Sequence, residues 1–339
     1  MTISVNGWSN GNGGTHHYRI AEPLRALSLS GFRTMWGPEM SAEIQRDYDI
    51  ILTHMPHEPI PSAIMRSLRD GGHNKLVVDI DDFAWGYPEG SGTETYWTRE
   101  RLTNLENNLR LADLVTTPSP VLADYVRQFN PWVEVLPNTV PVLTTVQSRK
   151  PSQKFRIGYQ GASQHKLDFT HEIMSALSMF LASHSDSELW LFGFHRDSVF
   201  IPPSMGGRIH IVGWQSNLSE YYKSLQFEVG IGPLASNEFN RYKSDIRYVE
   251  YMATGALPIL QNYGPYEGTA NSFANAQQMF RNLQTAYRSW IMLPRAWGEN
   301  QFKRRQIART FMATESSYNL ERISDVYRRV AVRDRNHGS

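Results

Sequence analysis

The chain contains no cysteine. Disulfides, thiolate metal sites and cysteine nucleophiles are therefore excluded together. No apolar run approaches the ~18 residues that a membrane span needs, and the N-terminus lacks the charged-then-apolar pattern of a signal peptide. A cytoplasmic protein without a transmembrane segment is expected. Charge of one sign is also missing: 34 Lys and Arg face 33 Asp and Glu, a net charge of +1. That balance argues against gripping nucleic acid or an anionic membrane chiefly by charge. There is no G-x-x-x-x-G-K-[ST] phosphate loop, no G-x-S-x-G elbow and no kinase signature. What is present is 40% apolar and 20% charged, a globular mixture. A length of 339 residues is about twice that of a ~150-residue domain, so two domains are expected.

Short apolar runs alternate with amphipathic stretches, the rhythm of β-α-β units on a parallel sheet. In the first half the pattern predicts strands at 2–5, 32–36, 49–53, 75–80, 114–117 and 133–136. It predicts helices at 17–30, 59–70, 96–112 and 120–128. A polar, proline-containing segment then interrupts, giving domains over 1–140 and 156–294 with a linker at 141–155. The rhythm restarts with strands at 156–159, 188–192, 208–212, 227–231 and 257–261, and helices at 167–183, 218–224, 243–254 and 271–289. A basic helical stretch follows over 297–329, in a C-terminal segment 295–339 free to pack back on the first domain. The fold class is α/β, two facing doubly wound Rossmann-like domains with a ligand in the cleft at the carboxyl ends of their strands.

The first loop, Asn10-Gly11-Asn12-Gly13-Gly14-Thr15, joins a strand to a helix. Glycines there let backbone N–H groups approach an anion, and the helix N-terminus adds partial positive charge. It misses the dinucleotide fingerprint, whose third glycine position is His16. Gly158-Tyr159-Gln160-Gly161 holds the matching place in the second domain, followed by His165 and Lys166 as nearby cations for a diphosphate. Asp79-Ile80-Asp81-Asp82 ends the fourth strand. A D-x-D there can chelate Mg²⁺ or Mn²⁺, Asp81 or Asp82 can orient an acceptor hydroxyl or act as a base, and Asp82 can merely cap a turn. His54, His57 and Glu58 follow the third strand, but Pro56 makes a helical zinc motif a poor fit. His54 is kept as a cleft residue, and His16 is preferred for touching a sugar, although packing duty competes for every histidine. Trp85 and Tyr87 lie in an aromatic, Gly/Ser/Thr-rich loop that can present rings to an acceptor.

The segment from Glu238 to Tyr251, EFNRYKSDIRYVEY, carries the most information. At ~100° per residue, Lys243, Arg247 and Glu250 share one helix face, with Ile246, Val249 and Ala253 on another. Gly230-x-x-Pro233 at a strand end, then Phe239-Asn240-x-x-Lys243-Ser244, then Glu250-Tyr251-x-x-x-Gly255-x-x-Pro258-Ile259 resembles the donor-binding region of retaining GT-B glycosyltransferases. This is the family-4-like group that includes bacterial and phage enzymes. The resemblance extends over nearly the whole chain through Gly13-Gly14, Leu136-Pro137-Asn138, Arg156-Ile157-Gly158-Tyr159 and Gly264-Pro265-Tyr266. It implies transfer of a sugar from a UDP- or GDP-sugar to an acceptor hydroxyl, with retention and no essential metal. The second domain would bind the donor and the first the acceptor. Glu250 would hold the ribose, Gly13 and Gly14 would approach the phosphate or sugar, and Lys166 and Lys243 would face the diphosphate. The sequence leaves the acceptor open among a glycan, a protein, a lipid-linked sugar and a modified DNA base. The family usually carries two glutamates with seven residues between them, and here the first position, eight before Glu250, is Tyr242; either Glu238 replaces it or the sugar is held differently. A nucleotide-sugar epimerase and an inactive sugar-nucleotide- or glycan-binding protein are the rival readings.

Charge divides along the chain. Residues 1–145 hold 11 basic and 17 acidic side chains, net −6, and the remainder holds 23 and 16, net +7. A basic second half suits a diphosphate, although residues 295–339 alone contribute +5.

Overall fold

In the computed structural model, residues 2–9, 13–37, 42–141, 152–195 and 207–333 are described. Most of the expected linker, residues 10–12 of the glycine loop and residues 334–339 lie outside them. Strands β1 (Ser4–Ser9), β2 (Arg33–Gly37), β3 (Ile50–His54), β4 (Lys75–Asp79), β5 (Leu114–Thr117) and β6 (Val133–Val135) form one sheet in the order β2-β1-β3-β4-β5-β6. Strands β7 (Phe155–Gln160), β8 (Ser187–Phe192), β9 (Ile209–Val212), β10 (Val229–Gly232) and β11 (Leu257–Leu260) form a second, ordered β11-β10-β7-β8-β9. Every strand pairing in both is parallel.

Parallel neighbours need crossovers, and helices supply them. In the first half these are α1 (Glu22–Leu29), α2 (Ala42–Gln45), α3 (Pro59–Gly71), α4 (Arg99–Leu111) and α5 (Pro120–Val126). In the second half they are α6 (His171–Ser183), α7 (Leu218–Ser224), α8 (Glu238–Arg241), α9 (Ile246–Thr254) and α10 (Ala276–Met292), followed by α11 (Pro294–Ala308) and α12 (Ser317–Val332). Strand order reverses between β1 and β3 in one sheet and between β7 and β10 in the other. Open α/β sheets hold ligands at such reversals, outside the carboxyl ends of the strands. The Gly13-Gly14 loop follows β1 and the Gly161 loop follows β7, so both stand at a reversal.

Several expected boundaries move, each for a local reason. β1 runs to Ser9 instead of ending at Val5. It is buried on both faces, so its Asn, Gly and Ser residues conceal a strand that does not alternate. The helix expected at 17–30 begins with a π-helical turn at His16–Ala21. Pro23 has no N–H for the carbonyl of Arg19, and the turn before it widens. The helix expected from 243 starts at Ile246, which leaves Lys243 in a loop. The basic stretch at 297–329 is two helices, because Ser316 accepts a hydrogen bond from Asn319 N and starts α12 anew.

α12 buries Ile323, Val326, Tyr327 and Val330 in the same core as Val5, Leu24 and Leu27. At ~1.5–3 kcal/mol for each large apolar side chain buried, the last helix is structural to the first sheet. The two halves also exchange rings. Tyr18 joins the core around Phe192, Tyr222 and Tyr251, and Phe239 joins the one around Phe83 and Leu105.

Candidate functional site

A cavity of about 440 Å³ opens between the carboxyl ends of the two sheets. Gly13, Gly14, His17, Tyr18, Asp81, Asp82 and Asn138 line it from the first half. Gln160, Gly161, His165, Trp214, Tyr221, Lys243, Ser244, Arg247 and Glu250 line it from the second.

Glu250 is the buried centre of the hydrogen-bond network. It is 4% exposed, and Oε1 accepts from the Tyr18 hydroxyl at 2.5 Å while Oε2 accepts from Gln160 Nε2 at 2.7 Å. The Tyr221 hydroxyl reaches both oxygens at 3.3 and 3.4 Å. Since Tyr18 gives its proton to Glu250, Tyr222 donates to Tyr18 across their 2.9 Å contact. Burial raises the Glu250 pKa, and the donating side chains of Tyr18, Gln160 and Tyr221 hold it back.

Arg247, one helical turn earlier, is 7% exposed. Its Nε donates to Gln160 O at 2.9 Å, and one terminal nitrogen donates to the Tyr159 hydroxyl at 2.7 Å. Among the described residues no carboxylate pairs with it. Desolvation opposes its charge, but Tyr159, Tyr266 and Asp168 hold its pKa above the usual arginine value. Lys243 reaches across the cleft instead, with Nζ 2.6 Å from Asp82 Oδ1 and 4.2 Å from the centre of the Phe239 ring. Asn138 donates to Ser244 Oγ at 2.8 Å, a further polar link between the halves.

Asp81 and His54 form a pair of 2.8 Å. Burial opposes the Asp81 charge, but His54, Arg19 and Lys243 outweigh it and bring the pKa down to about 2. Burial would lower His54, and Asp81 more than reverses this, leaving its pKa raised. The raised His54 contributes stability that is complete below the unfolded value of ~6.5 and lost as pH rises through the folded value. The depressed Asp81 contributes above ~3.9 and loses its contribution as pH falls toward 2. A His54→Asn variant is therefore expected to differ most from the parent in urea unfolding near pH 5, with the gap closing by pH 9 and by pH 2. A gap that ignores pH would show that the pair is not ionic.

Neither a protein-family model nor a curated protein matches the sequence. Solved structures do match the fold. A glycosyltransferase from Rickettsia africae ESF-5 superposes with a TM-score of 0.64 at 13% identity, over 98% of this chain and 100% of its own. Anabaena Alr3699/HepE in complex with UDP-glucose gives 0.64 at 11% identity, over 96% and 99%. An alpha-glucosyltransferase in complex with UDP and a 13-mer DNA containing a HMU base gives 0.64 at 12% identity, over 98% and 100%. The fold is GT-B.

On this GT-B frame the expected residues divide. Gly13, Gly14, Asp81, Asp82, Gly161, His165, Lys243, Ser244, Arg247 and Glu250 line the cleft, and the others do not. His16 turns inward, its Nδ1 2.6 Å from Ser9 Oγ, and its neighbour His17 lines the cavity instead. Gly158 is a packing glycine: a Cβ there would lie 2.0 Å from the Phe227 ring. Lys166 stays outside the lining because the 3-10 turn Ser163–Asp168 presents His165. Asn240 is buried in support, donating to Asp168 Oδ1 at 2.7 Å and to Ala235 O at 2.9 Å.

The aromatic loop is not an exposed platform. Trp85 stacks on Phe129 at 5.3 Å and donates to Glu106, while Tyr87 lies 4.3 Å from the Phe239 ring and donates to Asp82. His54 backs Asp81 and is absent from the lining. Asp79 cannot complete a D-x-D chelate, since Arg19 holds both its oxygens at 2.9 and 2.7 Å and Thr116 donates to it. Glu238 is exposed on α8 and does not line the cavity. Tyr242 stacks on Phe83 at 4.1 Å and 12°, so an aromatic contact between the GT-B halves stands where the resemblance places a glutamate.

Tyr18, Gln160 and Tyr221 were not among the residues expected in the cleft. Only the position of Gln160, at the end of β7 beside Gly161, was a usable signal. The two tyrosines meet Glu250 from elements far apart in sequence.

Proposed function

We propose that the protein transfers a sugar from a uridine diphosphate sugar to an acceptor hydroxyl, with retention and without an obligatory metal. The observation that carries this reading is Arg247, a buried guanidinium lining a cleft with no carboxylate partner among the described residues. A guanidinium held charged in a buried site, with no carboxylate at ion-pair distance among the described residues, can pair with a further anion, and a diphosphate supplies one. Lys243 stands nearby, and the Gly13-Gly14 loop adds the N-terminus of a helix. Together they would stabilise the leaving diphosphate. Glu250 would take the ribose hydroxyls, and Asp81 and Asp82 would face the acceptor. The UDP and UDP-glucose complexes of the GT-B neighbours support the choice of nucleotide.

The test is a thermal-shift screen against UDP, GDP, ADP, TDP and their sugars, followed by UDP release with glycan and hydroxymethylated-DNA acceptors. At 100 times its dissociation constant, the right donor stabilises by about 2.7 kcal/mol. Failure of every nucleotide to stabilise the protein sinks the reading. An inverted product anomer, or activity abolished by EDTA, would remove retention or metal independence.

The hydrogen bonds that Glu250 accepts make a further demand on the donor. A carboxylate offers about four lone-pair sites, and Tyr18, Tyr221 and Gln160 already use at least three of them on Glu250. A ribose diol must displace a hydroxyl, and Tyr18 comes from the opposite half. Tyr18→Phe is expected to tighten UDP binding several-fold, by roughly one hydrogen bond of 0.5–1.5 kcal/mol, and to lower the melting temperature of the empty protein. Weaker UDP binding in this variant would mean that Tyr18 helps to hold the nucleotide.

A further inference from the structure

His165 is built differently from the cations around it. Its Nδ1 lies 2.8 Å from Asp168 Oδ2. The other carboxylate oxygen accepts from Ala235 N at 2.9 Å and from Asn240 Nδ2 at 2.7 Å. Asp168 is thus held as an acceptor on both sides, so Nδ1 carries the hydrogen and Nε2 is left without one in the neutral ring. Burial, with Arg247 and Lys243 close by, pushes the pKa of His165 down to about 3 despite Asp168. The ring therefore stays neutral, and Nε2 is a hydrogen-bond acceptor. His165 lines the cavity, and among the described residues no hydrogen bond to its Nε2 is found.

An acceptor cannot pair with a diphosphate, whose oxygens carry no hydrogen at neutral pH and are themselves acceptors. The group that meets Nε2 must donate. Glu250 lies at the ribose end of the site, whereas Arg247 and Lys243, the cations assigned to the diphosphate, are the ones felt by His165. The donating group beyond a diphosphate is a sugar hydroxyl. We propose that His165, oriented by Asp168, accepts a hydrogen bond through Nε2 from a hydroxyl of the transferred sugar and so helps to select that sugar. This rests on the donor reading above and replaces the cationic role expected for His165 from its position beside Lys166. Asp168 and Asn240 act through the ring, as positioning residues.

The experiment compares each sugar nucleotide with its bare nucleotide by calorimetry, using UDP-glucose, UDP-galactose, UDP-N-acetylglucosamine and GDP-mannose. The donor that gains most from its sugar in the parent protein is then measured with His165→Ala and His165→Gln. The Ala variant is expected to lose about tenfold of that gain, or 1.4 kcal/mol, while the bare nucleotide binds as before. Gln, which places an amide oxygen near the position of Nε2, is expected to restore most of it. In ¹⁵N spectra of the parent, the His165 ring should show a protonated Nδ1 and a bare Nε2 from pH 5 to 8. The Nε2 signal should move with the sugar nucleotide and not with the bare nucleotide. Equal weakening of nucleotide and sugar nucleotide overturns the proposal, as does a protonated Nε2 or a parent that gains nothing from any sugar. If the Ala variant does not fold, the Gln variant and the ring spectra decide alone. A parent that binds no nucleotide at all instead overturns the donor reading.

Discussion

Arg247→Ala is expected to weaken UDP binding by about 30- to 5,000-fold while leaving uridine binding unchanged. Truncating one member of a buried, hydrogen-bonded charge pair costs ~2–5 kcal/mol, and the other member here would be the diphosphate. The empty protein should tolerate the change far better. It loses the contacts to Gln160 O and Tyr159, but it also sheds a buried charge that, among the described residues, has no ion-paired carboxylate. Calorimetry with UDP and uridine, beside melting curves, separates the two effects. Arg247→Lys should recover part of the affinity, because an ammonium restores charge without the planar donor set. UDP binding to Arg247→Ala at the parent's affinity would remove the diphosphate from this position and with it the main support for the donor reading.

Glu250→Ala should damage both stability and recognition. The variant leaves the Tyr18 and Tyr221 hydroxyls and the Gln160 amide without their acceptor, at ~1–3 kcal/mol for each buried group that stays unsatisfied. A loss of roughly 3 kcal/mol in unfolding free energy is expected, together with loss of measurable UDP binding. Glu250→Gln separates the two consequences, since it keeps the volume and one acceptor oxygen. It should fold, and it should bind UDP and 2′-deoxy-UDP with similar weak affinity, whereas the parent prefers UDP. A Glu250→Gln protein that still favours the 2′-hydroxyl would place the ribose elsewhere. With Tyr18→Phe, these variants ask whether the nucleoside takes over contacts that the empty protein makes with itself.

The architecture was legible because it rests on local periodicity. Short apolar runs separated by amphipathic stretches identify parallel strands and crossover helices from neighbours a few residues apart. The strand at 114–117 and the helix at 218–224 were placed at their observed limits. The misplaced boundaries belong to residues whose state is set by one partner. Ser316 starts a separate helix, eight residues after α11 ends at Ala308, through a hydrogen bond from Asn319 N. Lys243 leaves the expected helix face and reaches Asp82, 161 residues away in sequence.

The candidate site shows the same limit more sharply. By itself the sequence determined a cysteine-free α/β chain with two glycine-bearing strand ends and an Arg247–Glu250 helix, because each is a pattern among near neighbours. Tertiary structure alone decided which groups face the cleft. It turned His16 inward and His17 outward, sent Trp85 and Tyr87 into packing, and withdrew Asp79 into the grip of Arg19. It also joined Tyr18 to Glu250 across 232 residues and made His165 a neutral acceptor through Asp168 and the cations facing it. The physical reason is that burial, hydrogen-bond partnership and local field belong to a place in space, and the residues sharing that place come from both halves of the chain.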